Sequence, residues 1–327
     1  MAASGTFLAV GIDVGGTDIK AGLVRGDGTL VERRVVATQA DTGPAAVLER
    51  IAGVARELAA VANQQGSAAV GVGLGMPGSI RAAQGVVVSP PNLPGWDEVQ
   101  VVEPVARATG LPTVLENDAH GAALGELWVG AGRGSRDLAM LTLGTGIGGA
   151  IILDGRLWRG RFENAGELGH TIVELDGRPC RCGQRGCLEA YASARNTGLR
   201  AMERLAGGEE SALSAVLEQR GELTSRDVHE HALAGDALAR KVWDQTCRFL
   251  ALACVNLQHA LNLERIILAG GMSGAGVDLV ERVRKHFSRM MWPDIGDRPE
   301  IVLATLGNDA GLIGAAWLAL EASRRRV

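Results

Sequence analysis

Two stretches of the chain follow the same plan. Residues 7–36 read FLAVGIDVGGTDIKAGLVRGDGTLVERRVV, and residues 137–162 read DLAMLTLGTGIGGAIILDGRLWRGRF. Each sets out an apolar strand, a Gly/Thr turn, a second apolar strand, a Gly/Asp turn and a third strand. Gly15 and Gly144 are 129 residues apart, and so are Gly26 and Gly155. Two unrelated hairpins would not share that offset, so a duplicated domain core is expected. The 327 residues also exceed the size, about 250–300 residues, at which one hydrophobic core stops growing, which independently favours two domains.

Strands alternate with helices through the rest of the chain. PAAVLERIAGVARELAAVAN (44–63) has helical spacing, and AAVGVGLG (68–75) follows as a buried strand. TVLEND (113–118) is a strand running into the helix AHGAALGELW, and RIILAGG (265–271) runs into the helix VDLVERVRKHF (277–287). This alternation predicts an α/β fold with parallel strands and sites at their carboxyl ends. An N-terminal domain is expected over 1–118, with a final helix at about 310–327 packing back on it, and a larger domain over 119–309. The polar stretch 205–227 is expected to form a peripheral helical excursion.

The glycine turns are candidate phosphate sites. In IDVGGTDIK, Asp13 ends a strand and Gly15, Gly16 and Thr17 form the turn, with Lys20 beyond it. Glycines let backbone N–H groups approach an anion closely, and an acidic residue at the mouth of the turn can hold Mg²⁺ through water. LGTGIGG repeats this chemistry with Thr145 and Gly146, and LAGGMSG offers Gly270 and Gly271 for a nucleoside. Taken singly, each turn is also an ordinary tight hairpin. The pattern is neither a dinucleotide-binding G-x-G-x-x-G nor a Walker A loop, because a second strand follows each of the first two turns.

Three of the five cysteines fall within GRPCRCGQRGCLE (177–189). With His170 they make an H-x9-C-x-C-x4-C set of Cys180, Cys182 and Cys187. Three thiolates and an imidazole are a tetrahedral zinc complement, closed to water and therefore structural. The alternative is a coincidence of reactive or buried cysteines. Cys247 and Cys254 lie seven apart in a helical stretch and are expected to be buried small hydrophobes. Asp118, at the end of LEND, can be a proton acceptor at a strand rim or the N-cap of the following helix.

A net charge of −4 and 3% aromatic residues argue against a nucleic-acid partner. No apolar run is long enough for a membrane span. The start MAASGTFLAVGIDVGG has no basic region before its apolar residues, so a cytoplasmic protein is expected.

The segment LTLGTGIGGAIILDGRLWRGRFENAGELGH, joined to CRCGQRGCLE, together with GIDVGGT and AGLIGAA, resembles the ROK family of sugar kinases and repressors. That family lies within the sugar kinase, heat-shock protein and actin superfamily. The resemblance implies a two-domain actin-like (ribonuclease H-like) fold with an interdomain active-site cleft, where two hairpin turns grip the phosphates of ATP–Mg²⁺. It implies transfer to the 6-hydroxyl of a hexose, glucose first, with Asp118 as base. Gly78, Asn92, Asn117, Asp118, Glu167, His170 and Glu189 match sugar-binding positions, although Glu167 and Glu189 can also be solvated surface charges. It further implies that zinc orients His170 toward the sugar, and that the chain is a homodimer. Ala150 departs from the glycine often found after GG. Fructose, mannose or N-acetylmannosamine are alternative sugars. A DNA-binding ROK regulator is the other alternative, but the first strand, at about residue 7, is expected to leave no room for a helix-turn-helix domain.

Overall fold

The computed structural model describes residues 7–90, 92–294 and 296–325. These pack as two compact units. The first takes the residues up to Gly134, Leu157–Ala165 and the residues from Thr305 on; the second takes Ser135–Arg156 and Gly166–Ala304.

In the first unit, β1 (Leu8–Val14), β2 (Asp18–Arg25) and β3 (Leu30–Ala37) form an antiparallel meander. Then α1 (Pro44–Gln64) leads to β4 (Ala69–Met76). The short strands β5 (Ser79–Arg81), β6 (Val86–Ser89) and β7 (Val99–Gln100) make a small separate sheet. Next come α2 (Val102–Thr109), β8 (Thr113–Asn117) and α3 (Asp118–Val129). The main sheet runs β3-β2-β1-β4-β8, with β4 parallel to both β1 and β8. Helix α1 buries Val47, Ile51, Val54, Ala55, Leu58 and Ala62 in the core that also holds Val10, Ile12 and Leu74. That spacing of three and four residues is one helical face, and each large side chain buried there contributes about 1.5–3 kcal/mol.

In the second unit, β9 (Leu138–Leu143), β10 (Ile147–Leu153) and β11 (Arg156–Leu157) are followed by α4 (Glu189–Ala192), α5 (Ala194–Ala206), α6 (Leu213–Arg220), α7 (Ser225–Ala234) and α8 (Ala237–Leu261). Then come β12 (Arg265–Ala269), α9 (Val277–Met290) and β13 (Glu300–Leu303). The sheet order β11-β10-β9-β12-β13 repeats the first sheet position for position. The antiparallel β9–β10 pair answers β1–β2, and the parallel β9–β12 and β12–β13 pairs answer β1–β4 and β4–β8. The duplication therefore extends from the hairpin to the whole sheet. Its third strand does not: β11 has two residues where β3 has eight, because from Leu157 the chain leaves to pack with the first unit.

The last helix, α10 (Ala310–Arg324), belongs to the first unit. Small residues let its backbone lie directly on the sheet and on α3. A Cβ on Gly73 of β4 would stand 1.8 Å from the Ala315 carbonyl oxygen, and one on Gly314 would stand 1.7 Å from that of Gly121. This contact carries α3 into the first unit, so that unit runs to Gly134 rather than to the expected 118. The stretch 205–227 is less peripheral than its polarity predicts, since Leu213 and Leu223 enter the second core. Cys247 and Cys254 are fully buried on α8, and burial pushes the Cys254 thiol up to about 12. Among the described residues, no helix is long and apolar enough to cross a membrane.

Candidate functional site

The carboxyl ends of β1, β4 and β8 gather most of the expected groups of the first unit. Asp13 faces Gly75 across β1–β4, and Met76 faces Asn117 across β4–β8. A Cβ on Gly75 would lie 3.8 Å from both Asp13 Oδ1 and the Asp118 Cα, so the two aspartates meet over a residue without a side chain. The Asp13 carboxylate is covered by the start of α10, where a Cβ on Gly311 would stand 2.7 Å from it. Burial, then the neighbouring Asp118 carboxylate, push Asp13 up to about 6, against the pull of Lys20, its partner across β1–β2. Two carboxylates at one strand end cannot both ionise freely without a cation nearby.

The turn after β1 is closed by the Gly15 N–H donating to the Asp18 carbonyl at 2.9 Å, and Thr38 Oγ1 donates to the Gly15 carbonyl at 2.7 Å. Thr17 is exposed. Gly16 packs against Asn92, whose Cβ would be 2.9 Å from one placed on the glycine. The N-cap of α3 is Asn117 rather than Asp118. The Asn117 Oδ1 accepts from the amides of Ala119 and His120 at 2.9 and 3.2 Å, and Asp118 is the first helical residue. The Asn117 amide donates to the Gly78 carbonyl at 3.1 Å; Gly78 has φ +77°, a conformation that favours glycine.

The second unit carries the other turns. The Gly144 N–H donates to the Gly146 carbonyl at 3.0 Å. Gly270 (φ +84°) follows β12, and a Cβ on it would be 2.7 Å from the backbone of Leu143. Thr145, Gly146, Gly270 and Gly271 are thus brought to the same end of the second sheet. Glu189 starts α4, and its Oε2 accepts from the Ile147 N–H at 2.9 Å. Gly146 must be glycine for this, because a Cβ there would stand 2.4 Å from the same oxygen. The 3-10 turn Leu168–His170 lies on β10 through Gly169, whose Cβ would meet the Ile147 carbonyl at 2.0 Å. Ile147 therefore anchors both Glu189 and the turn bearing His170. Glu167, just ahead of that turn, is exposed.

His170, Cys180, Cys182 and Cys187 come together with all four ligand atoms within 4.8 Å of one another. Cys182 and Cys187 Sγ are 3.7 Å apart, and Cys180 Sγ is 3.8 Å from His170 Nδ1. Metal–sulfur bonds of about 2.3 Å in a tetrahedron would put sulfurs about 3.8 Å apart, so the donor set fits a zinc ion. Burial and the adjoining thiols push Cys187 up to about 12, while the Gln184 amide pulls Cys182 down. Only a central cation would hold all three as thiolates.

Glu116 was not anticipated as a functional residue. It is 1% exposed, and its carboxylate takes bonds from Asn117 N–H, His120 and Arg159. Burial would raise its pKa, but the His120 hydrogen bond and the Arg159 guanidinium outweigh burial and hold it below the usual carboxylate range. The available signal was a charged residue between Leu115 and Asn117 in a buried strand, which requires a partner.

The sequence model of the ROK family matches residues 9–322. The chain is 39% identical to a glucokinase of Halalkalibacterium halodurans over 94% of each chain. It is 32% identical to an N-acetylmannosamine kinase of Citrobacter koseri, over 94% of this chain and 97% of that one. Its structure is similar to that of a ROK family glucokinase from Streptomyces griseus in complex with glucose and AMPPNP, with TM-score 0.80 and 33% identity over 96% of this chain and 99% of that one. With matching sheets at both ends of the sequence and a family match over nearly its full length, the chain belongs to the ROK family, as an ATP-dependent sugar kinase of the α/β, actin-like fold.

Proposed function

We propose that the chain transfers the γ-phosphoryl group of ATP to the 6-hydroxyl of glucose, with Asp118 as general base. The observation that carries this reading is the place of Asp118: first residue of α3, at the end of a parallel strand, beside Asp13 and next to an asparagine that fixes the helix turn. A carboxylate there accepts the proton as the hydroxyl oxygen bonds to phosphorus. A strong base is not required there, because phosphoryl transfer is chiefly positioning and charge stabilisation. The amides of Gly15, Gly16, Thr17 and of Thr145 and Gly146 take phosphate oxygens, Lys20 adds positive charge, and Gly270 and Gly271 take the nucleoside end. Asp13 holds Mg²⁺ through water, and that ion neutralises phosphate charge. The His170–Cys180–Cys182–Cys187 site holds a structural zinc ion, whose closed donor set leaves the other ring nitrogen of His170 for the sugar. A reduced thiol cluster and an ATP-dependent reaction both suit the cytoplasm.

Gly78, Asn92 and Asn117 bind sugar hydroxyls together with Asp118. Glu167, His170 and Glu189 serve the anomeric end and the 2-position, so an equatorial 2-hydroxyl is preferred. A site built to hydrogen-bond a hydroxyl discriminates by up to about 10⁴ against a sugar that leaves its polar groups unpaired. The expected order of kcat/KM is glucose, then mannose, then fructose. N-acetylmannosamine is the second reading, supported by the similarity to kinases of that sugar. A coupled assay with ATP across these four sugars tests the assignment. Fructose or N-acetylmannosamine ahead of glucose by about tenfold would overturn glucose and leave the kinase intact.

A further inference from the structure

Residues Leu157–Ala165 follow the second repeat in sequence but pack with the first unit. Three residues, Glu116, His120 and Ala82, bind them there. Arg159 donates to Glu116 Oε2 from Nε at 2.7 Å and approaches it with its terminal nitrogen at 2.5 Å. The other carboxylate oxygen accepts from the Asn117 N–H at 3.1 Å and pairs with His120 Nδ1 at 3.0 Å. The opposite ring nitrogen of His120 lies 3.0 Å from the Ala165 carbonyl oxygen. Glu163 accepts from the Ala82 N–H at 2.9 Å. Glu116 and His120 are 1% and 5% exposed, and they bracket Asn117 and Asp118 in the chain. So one buried cluster joins the base-bearing turn to both ends of this segment. Gly166 follows directly, then Glu167 and His170.

We propose that Glu116, His120 and Arg159 are positioning residues for sugar binding: they clamp segment 157–165 onto the turn carrying Asp118, and so fix the sugar-binding residues that continue from it. The inference rests on the kinase reading above. A ligand-bearing loop held by charge-assisted bonds loses less freedom when the sugar binds than one held by its covalent ends alone. Arg159 is the member to test. It is partly solvent-exposed (36%), and its removal leaves Glu116 with two donors and Glu163 in place, so the fold persists while the clamp loosens.

Arg159→Met is expected to raise the sugar KM, and the sugar Kd measured by calorimetry without nucleotide, by roughly tenfold, with the ATP KM within about twofold of wild type. Arg159→Lys keeps the charge but not the forked donor geometry, and should fall between the two. Adding Arg159→Met to a Glu116→Gln chain should change the sugar Kd by less than about twofold, because the coupled partner is already gone. A purely structural arginine would lower the melting temperature and leave the sugar Kd alone. That result, or equal rises in the sugar and ATP KM, overturns the clamp and leaves the kinase reading standing. A wild-type chain that phosphorylates no hexose refutes the kinase reading, and this inference with it.

Discussion

Replacing Asp13 by asparagine should stabilise the protein at neutral pH while removing activity. The carboxyl group is raised from 3.8 to about 6, by burial first and then by the Asp118 charge. A raised pKa means that the folded state holds this proton more tightly than the unfolded chain does. The ionised form therefore costs the folded state nothing below pH 3.8, progressively more between 3.8 and 6, and its full amount above 6. At about 1.36 kcal/mol per pH unit, the full cost is about 3 kcal/mol. Asparagine is neutral throughout and nearly the same shape, so it escapes that cost. Urea unfolding of both proteins at pH values from about 4 to 8, in magnesium-free buffer, would give the stability of the variant minus that of wild type. Other titrating groups cancel in this difference. It should rise by about 2.5 kcal/mol across the range and level off near pH 7, where it reaches the full cost. Placing Asp118→Asn in both proteins removes the second cause and should shrink the rise. A difference that is flat with pH, or that falls as pH increases, would refute the reasoning. In the kinase assay Asp13→Asn should lose turnover, because the charge that strains the fold is the one proposed to hold magnesium.

Three further outcomes follow from the site. Asp118→Asn should lower kcat by roughly 10²–10⁴ while sugar affinity stays near wild type; near-normal turnover would remove Asp118 from the mechanism. The protein should contain one zinc per chain by elemental analysis, and Cys182→Ser should lose both the metal and the activity, since a three-cysteine, one-histidine site has no replacement ligand; active protein with no bound metal would contradict this. Gly146→Ala forces the Glu189 carboxylate off the Ile147 amide, because the new Cβ would stand 2.4 Å from Oε2. The variant should fold, with a sugar KM raised by about tenfold or more, and an unchanged KM would mean that Glu189 does not touch the sugar.

How much of this was legible in the sequence depends on the range over which each requirement acts. A tight strand-to-strand turn needs glycines at fixed places, and all of that lies within ten residues; the repeat at Gly15 and Gly144 was therefore visible, and it predicted a symmetry that the two sheets display in strand order and pairing, though not in the length of the third strand. The candidate metal-ligating set was visible for the same reason, since Cys180, Cys182 and Cys187 sit in one loop. The last helix was legible as a run of small and apolar residues, although its tight seat on Gly73 and Gly121 was not.

What escaped notice was pairing at a distance. Glu116 meets Arg159 across 43 residues, Glu163 meets Ala82 across 81, and the buried Glu126 takes the amides of Thr305 and Leu306 across some 180. Periodicity records which face of an element is buried, and a charge on such a face shows that a partner is required. It does not say which of the 33 lysines and arginines supplies it. The shortened third strand shows the cost of ignoring this. Judged by its own residues, DGRLWRGRF completes the repeat, yet Arg159 within it packs with the first unit, where it is held by Glu116 rather than by a strand neighbour. A copied sequence plan predicts a copied structure only where no distant buried group claims one of its residues, and in this chain the claim is made from the residue two places before the proposed base.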